Sequence, residues 1–232
     1  MASDIGLHAI VVADGDVPDR APLDAAWPGW ADDAAAVVAA DGGFLRAERL
    51  GLVPTRLVGD LDSLPPADVE RARAAGIPID RAAPDKDESD TELALLRAIA
   101  LGATRITLLG AFGGRVDHEL ANLGLLAHPA LAGAALAFLD AGSRVTLIAA
   151  PAPSGAAVDR PLPGPIGATL SLLPFGGDVE GITTRGLRYP LLDEPLTVGP
   201  ARGLSNVRVA PDAGVIVRRG RLLVVEVAPG GR

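Results

Sequence analysis

Along the first half of the chain, short unbroken apolar runs alternate with longer stretches in which apolar residues recur at helical spacing. The runs are AIVVA (Ala9 to Ala13), AVVAA (Ala36 to Ala40), TRLVG (Thr55 to Gly59) and RITLLG (Arg105 to Gly110), with ADVERARAA and DTELALLRAIALG between them. A strand without polar alternation is covered on both faces, so the pattern predicts an α/β domain with a mostly parallel sheet. Beyond about Ala134 the helical period is lost. Strand-like segments LAFLD, RVTLIAA, TLSLLPF and VIVRRGRLLVVEV follow, separated by Gly and Pro. Arg219-Gly220 predicts a hairpin turn, and the proline-rich stretch from Pro151 to Pro165 predicts a loop. The expected organisation is an α/β domain over 1–133 and an all-β, sandwich-like domain over 134–232.

Composition narrows the partners. A formal net charge of -8 argues against a broad footprint on nucleic acid or an anionic membrane, which leaves a small partner. The absence of cysteine excludes disulfides, thiolate nucleophiles and cysteine zinc sites, and suits a reducing cytoplasm. MASDIGLH lacks the basic region and apolar core of an export signal, so a cytoplasmic location is expected. The uncharged run from Leu120 to Leu139 has the length of a membrane span, but Asn122, His128, Pro129 and two glycines interrupt it. It reads as a core helix, a turn and the start of a strand. Arginine is abundant, yet Lys86 is the only lysine, and it lies inside the densest acidic patch, PDKDESD.

In open parallel sheets, ligands collect beyond the carboxyl ends of the strands, where loops and helix N-termini converge. Acid-rich segments fall there repeatedly: ADGD after the first strand, ADGG (40–43) after the second, Asp60 and Asp62 of GDLDS after the third, and GAFGGRVDHELAN after RITLLG. Each alone is ordinary turn chemistry. A fifth segment, PDKDESDTELALL, precedes a helix that Ser89 or Asp90 could cap. Together Asp41, Asp60, Asp62, Asp87, Asp90 and Asp117 would crowd one cleft and repel one another without cations. Hard divalent ions held by carboxylate oxygens resolve this, with phosphate as the remaining ligand; magnesium is favoured, and Lys86 and Arg115 would meet phosphate oxygens. Neither GxxxxGK[ST] nor GxGxxG is present, which excludes a P-loop enzyme and an ordinary dinucleotide site. His8, His118 and His128 have no metal-ligand spacing, although His118 beside Asp117 could be catalytic or structural.

The ordered set ADGG (40–43), GDLDS (59–63), PDKDESDTELAL (84–95), GGRVDHELANLGLL (113–126), GLRYPL (186–191) and SN (205–206) resembles the thiamine pyrophosphokinase family. The resemblance implies an α/β nucleotide-binding domain, a β-sandwich that binds thiamine and supports dimerisation, and a homodimer with active sites in clefts between subunits. It also implies the reaction of ATP with thiamine to give AMP and thiamine diphosphate. Asp60, Asp62, Asp87 and Asp90 would hold Mg2+, and Asp41, Gly42, Gly43, Lys86 and Arg115 would contact ATP. Asp117 would orient the phosphates' metal or assist the hydroxyl, and Ser205, Asn206 and Tyr189 would hold thiamine. Tyr189 stands where many relatives have tryptophan, and Lys86 where some have glutamine. Two other readings compete: a nucleotide-sugar transferase, since Asp-Leu-Asp also fits a DxD metal site, and a non-catalytic thiamine or nucleotide sensor.

Overall fold

The computed structural model describes residues 6–83, 85–152 and 154–228. The first residues of the segment read for an export signal, Pro84 of the acidic stretch and Pro153 of the expected loop lie outside them. The described chain divides into two compact units, the first ending at Ala141 and the second beginning at Gly142.

In the first unit, strands and helices alternate: β1 (Leu7–Val12), α1 (Arg20–Ala26), β2 (Ala34–Ala40), α2 (Gly43–Arg49), β3 (Arg56–Gly59), α3 (Pro66–Ala74), β4 (Ile79–Arg81), α4 (Asp90–Ala100), β5 (Ala103–Leu109), α5 (Val116–Leu125) and β6 (Ala135–Leu139). All sheet pairs are parallel, in the order β6-β5-β1-β2-β3-β4. The apolar runs therefore fill central strands covered on both sides. One core cluster sets Ile10 and Val12 against Leu23, Ala47 and Leu50; another sets Leu57 against Phe44, Leu61, Leu64 and Val69. Buried His8 reinforces the sheet, its ring bonding Thr107 Oγ1 on β5 at 3.0 Å and the Asp32 carbonyl at 3.1 Å.

LAFLD differs from its expected place. As β6 it pairs in parallel with β5, so it belongs to the first unit rather than opening the second. An apolar run announces a strand but not its partner; here α5 and a 3-10 turn (Pro129–Leu131) supply the crossover that parallel pairing needs. The run from Leu120 to Leu139 is helix, turn and strand, and no helix among the described residues is long and apolar enough to cross a membrane.

The second unit contains β7 (Ser143–Ala150), β8 (Val158–Pro161), β9 (Thr169–Pro174), β10 (Val179–Arg185), β11 (Glu194–Leu196), β12 (Asn206–Val207), β13 (Gly214–Val217) and β14 (Gly220–Val227). They form two antiparallel layers, β12-β9-β14-β7 and β11-β10-β13-β8. Ile148, Leu170, Leu172, Leu222 and Val224 of one layer share a core with Val179, Ile182, Leu196, Val215 and Val217 of the other, a sandwich arrangement. Part of the expected loop is the edge strand β8, whose pattern VDRP carries too little apolar signal to mark it and ends in a proline that an edge tolerates. The hairpin expected at Arg219-Gly220 is instead a corner: β13 pairs with β10 and β8, whereas β14 pairs with β7 and β9. Both strands present apolar faces to the same core from opposite layers, so the chain crosses between layers, with Arg219 bridging to Glu180 on the way.

Candidate active site

The strand order changes direction between β1 and β5, and the carboxyl ends of the strands open there onto a pocket of about 870 Å³ within the first unit. After β1 it is lined by Asp14 and Gly15, after β2 by Asp41, after β3 by Asp60, Asp62 and Ser63, and after β5 by Gly113, Gly114 and Arg115. Asp90 enters from the first residue of α4 and Lys86 from the segment before it, and His118, Glu119 and Asn122 enter from α5. Of the six carboxylates expected in one cleft, Asp41, Asp60, Asp62 and Asp90 line this pocket, and Asp87 and Asp117 do not.

The geometry of GDLDS follows from three backbone features. Gly59 has φ 141°, and a β-carbon there would lie 3.0 Å from Asp90 Oδ1, so the position needs both glycine's freedom and its lack of a side chain. Leu61 has φ 68°, an unusual conformation for leucine, and its side chain is buried in the cluster around Phe44 and Leu57. With Leu61 anchored inward, the flanking Asp60 and Asp62 both reach the pocket. Asp60 Oδ1 accepts the Asp62 N–H at 3.2 Å, the main reason its pKa is lowered.

Asp41, at the end of β2, is only 4% exposed and also holds left-handed backbone, at φ 47°. Its Oδ2 accepts the Ser63 N–H at 3.3 Å, while Oδ1 is buried and accepts no hydrogen bond. Burial pushes its pKa up to about 6, with Asp90 and Asp62 adding to the effect. Asp41, Asp60 and Asp62 each offer a carboxylate oxygen, and these oxygens lie within 4.8 Å of one another. An all-oxygen donor set with an orphaned buried acceptor fits a hard divalent cation.

Asp90 opens α4, capped by Ser89, whose hydroxyl accepts the Glu92 N–H at 3.1 Å. Ser89 therefore serves as the cap while Asp90 faces the pocket. Asp90 Oδ1 is paired with Lys86 Nζ at 2.8 Å. The same ammonium lies 3.4 Å from Asp60 Oδ2. Burial works against the charge of Lys86, but Asp90 and Asp60 outweigh it and hold the pKa above its usual value.

Other expected residues fall differently. Asp87 is solvent-exposed and does not line the pocket, so Asp41 rather than Asp87 completes the carboxylate group with Asp60 and Asp62. Gly42 and Gly43 are buried and do not line the pocket: a β-carbon on Gly42 would lie 2.2 Å from Asp14 Oδ1, and one on Gly43 2.0 Å from the Val12 carbonyl. They let α2 start close against the end of β1. Arg115 is exposed at the pocket rim and pairs with Asp117, which holds the Asp117 pKa down to about 2.

Glu119 and Asn122 line the pocket without having been read as site residues. Glu119 Oε1 accepts the Gly113 N–H at 2.8 Å, pinning the glycine loop to α5, and Asn122 donates from Nδ2 to the Ala111 carbonyl at 2.8 Å. Their three-residue spacing, one helical face, was the available signal. In the second unit Asn206 is 6% exposed; Oδ1 accepts from the Tyr189 and Val207 N–H groups at 3.0 and 2.9 Å, and Nδ2 donates to the Tyr189 carbonyl at 2.7 Å. It fixes the backbone from which the Tyr189 side chain, 59% exposed, stands out. Ser205, exposed with φ 55°, donates its N–H to Ser171 Oγ at 3.1 Å.

A parallel α/β unit with a carboxylate-lined pocket at its carboxyl edge, followed by a β-sandwich unit, defines a two-domain α/β plus all-β protein whose pocket groups carboxylates with Lys86 and Arg115. Residues 29–137 match the sequence profile of the thiamin pyrophosphokinase catalytic domain, and residues 160–222 match that of the thiamin pyrophosphokinase vitamin B1 binding domain. The chain belongs to the thiamine pyrophosphokinase family. It is 26% identical to a thiamine pyrophosphokinase of Bacillus subtilis across 85% of this chain and 89% of that one. It is 28% identical to thiamine pyrophosphokinase 1 of Oryza sativa subsp. japonica across 90% of this chain and 85% of that one. A crystal structure of thiamine pyrophosphokinase from Bacillus subtilis superposes with a TM-score of 0.78 at 25% identity, covering 96% of this chain and 99% of the other.

Proposed function

We infer that the chain is a thiamine diphosphokinase, which transfers the pyrophosphoryl group of ATP to the hydroxyl of thiamine and releases AMP. The observation that carries this reading is the grouping of Asp41, Asp60 and Asp62 in one pocket with the cations Lys86 and Arg115, in a chain that matches both domains of the family. Nothing in the pocket or the comparisons favours the nucleotide-sugar transferase or the silent sensor.

The thiamine hydroxyl attacks the β-phosphorus of ATP in line, and AMP departs. Such transfers depend on positioning and on neutralising phosphate charge. Asp60, Asp62, Asp90 and Asp41 would hold Mg2+, which supplies neutralisation and polarisation of the phosphates when bound. Lys86 and Arg115 bind phosphate oxygens, and Glu119 keeps the Gly113-Gly114 loop in register for backbone N–H contacts. A carboxylate held near a pKa of about 2 is a poor base, so Asp117 orients Arg115 rather than taking the hydroxyl proton. Ser205, Asn206 and Tyr189 form the thiamine side of the proposal, with Asn206 acting through the backbone and the exposed Tyr189 ring meeting the cationic thiazolium. A homodimer with shared clefts and a cytoplasmic location complete the reading, on the family likeness and the cysteine-free composition.

The direct test incubates the purified chain with Mg2+, ATP and thiamine and separates the products chromatographically. AMP appearing in step with thiamine diphosphate is the expected result. ADP, or AMP without thiamine diphosphate, refutes single-step pyrophosphoryl transfer to thiamine.

A further inference from the structure

The ammonium of Lys86 lies among the carboxylates assigned to the metal. Its Nζ is 2.8 Å from Asp90 Oδ1 and 3.4 Å from Asp60 Oδ2, and its side chain is only 12% exposed. Arg115, the other cation at the pocket, is exposed and paired with Asp117 instead. Lysine carries a compact charge on a flexible stem, so it can leave one anionic partner for another without moving the backbone.

We propose that Lys86 is a built-in counter-ion of the carboxylate group, which a divalent cation must displace and which an incoming polyphosphate then takes up. This rests on the metal site proposed above and adds an order to it. The carboxylates of Asp60 and Asp90 cannot pair fully with both Lys86 and a divalent ion, so the lysine weakens cation binding in the absence of nucleotide. A polyphosphate offers the displaced ammonium a new set of oxygens, so cation and nucleotide strengthen each other's binding, reciprocally. The pocket then engages a free divalent ion poorly and the ion-nucleotide pair well. An arginine at 86 would keep the competing charge; a glutamine would remove it and keep a polar side chain of similar reach.

Two measurements on the full chain, stripped of divalent ions, test this. In the first, Mn2+ is titrated into wild type, Lys86→Gln, Lys86→Arg and Asp60→Asn without nucleotide, following free Mn2+ by electron paramagnetic resonance. Lys86→Gln should bind about tenfold tighter than wild type, the loss of one partly buried competing charge, and Lys86→Arg should stay within about threefold of wild type. In the second, mass spectrometry follows reductive methylation of Lys86, the only lysine of the chain, which should speed up several-fold on adding Mn2+ as the amine is released. Equal or weaker Mn2+ binding by Lys86→Gln, or methylation that ignores Mn2+ while wild type binds it, overturns the counter-ion role and leaves the metal site standing. No Mn2+ binding by any protein, or undiminished binding by Asp60→Asn, overturns the metal site and the counter-ion role together.

Discussion

Asp41 shows how a single residue can serve function against stability. Its carboxylate is almost wholly buried, one oxygen accepts no hydrogen bond, and burial raises its pKa to about 6. An acid whose folded pKa lies above its unfolded value costs stability once the pH exceeds both. Asparagine tolerates left-handed backbone and can still accept the Ser63 N–H, so Asp41→Asn removes the charge and little else. In chelator at pH 8 the variant should be more stable by roughly 1–3 kcal/mol, as read by urea unfolding, while pyrophosphoryl transfer drops at least about a hundredfold. An unchanged unfolding midpoint would mean that Asp41 is already compensated in the protein. Gly59→Ala should act in the opposite sense, losing about 1–3 kcal/mol because alanine at φ 141° is strained and its methyl meets the Asp90 carboxylate. Chemical denaturation of the variant checks it. No single acidic motif was decisive; it was their recurrence at successive strand ends that placed Asp41, Asp60 and Asp62 in one cleft, while Asp41 was read as a nucleotide contact because the sequence does not show that its carboxylate is buried beside the other two. Asp87 was over-read for the converse reason: an acidic run looks alike whether it faces a pocket or solvent.

At the scale of elements, His8 ties three pieces of the first sheet together, reaching from β1 to Thr107 on β5 and to the Asp32 carbonyl ahead of β2. Burial lowers its pKa, so the folded protein keeps it neutral while the unfolded chain protonates it near 6.5. The unfolded state therefore binds more protons below that pH, and this part of the stability is present above it and lost as the pH falls. Asp41 titrates with the opposite sign in the same range, so the test uses the Asp41→Asn background: unfolding midpoints measured there from pH 8 down to pH 5 should decline, and adding His8→Gln should flatten the decline at some cost in stability at pH 8. Elements with a full period were legible: β1, β2, β3, β5, α3 and α4 all fall where the pattern places them. The short α1, α2 and β4 carry too few residues to show a period. Pairing was harder than existence. LAFLD and the Arg219-Gly220 junction are an apolar strand and a turn, but the partner of each strand is set by crossovers and by a shared core, which no local window contains.

For the whole molecule, the exposed apolar side chains bear on assembly, and both units carry them. Beyond Tyr189, the second unit exposes Ile166, Leu192, Val198, Leu204 and Val209, with Leu192 at 71%. Beside its apolar core it also buries a charged pair, Arg208 with Glu226, which Arg144 joins at 2.6 Å. Scattered exposed apolar residues are ordinary, so the family likeness carries the expectation of a dimer and these side chains supply positions at which to test it. The homodimer expected from the family likeness should therefore appear in sedimentation velocity at micromolar concentration. Leu192→Glu, an exposed position whose own unit gains little from the leucine, should shift the protein to monomer while its circular dichroism stays unchanged. If the wild type is itself a monomer, thiamine must be bound with residues of one chain alone, and Tyr189→Ala should then raise the thiamine KM without any dependence on protein concentration. A dimer that persists in Leu192→Glu places the contact elsewhere on the chain, and the exposed α5 residues Val116 and Leu120 become the next to replace.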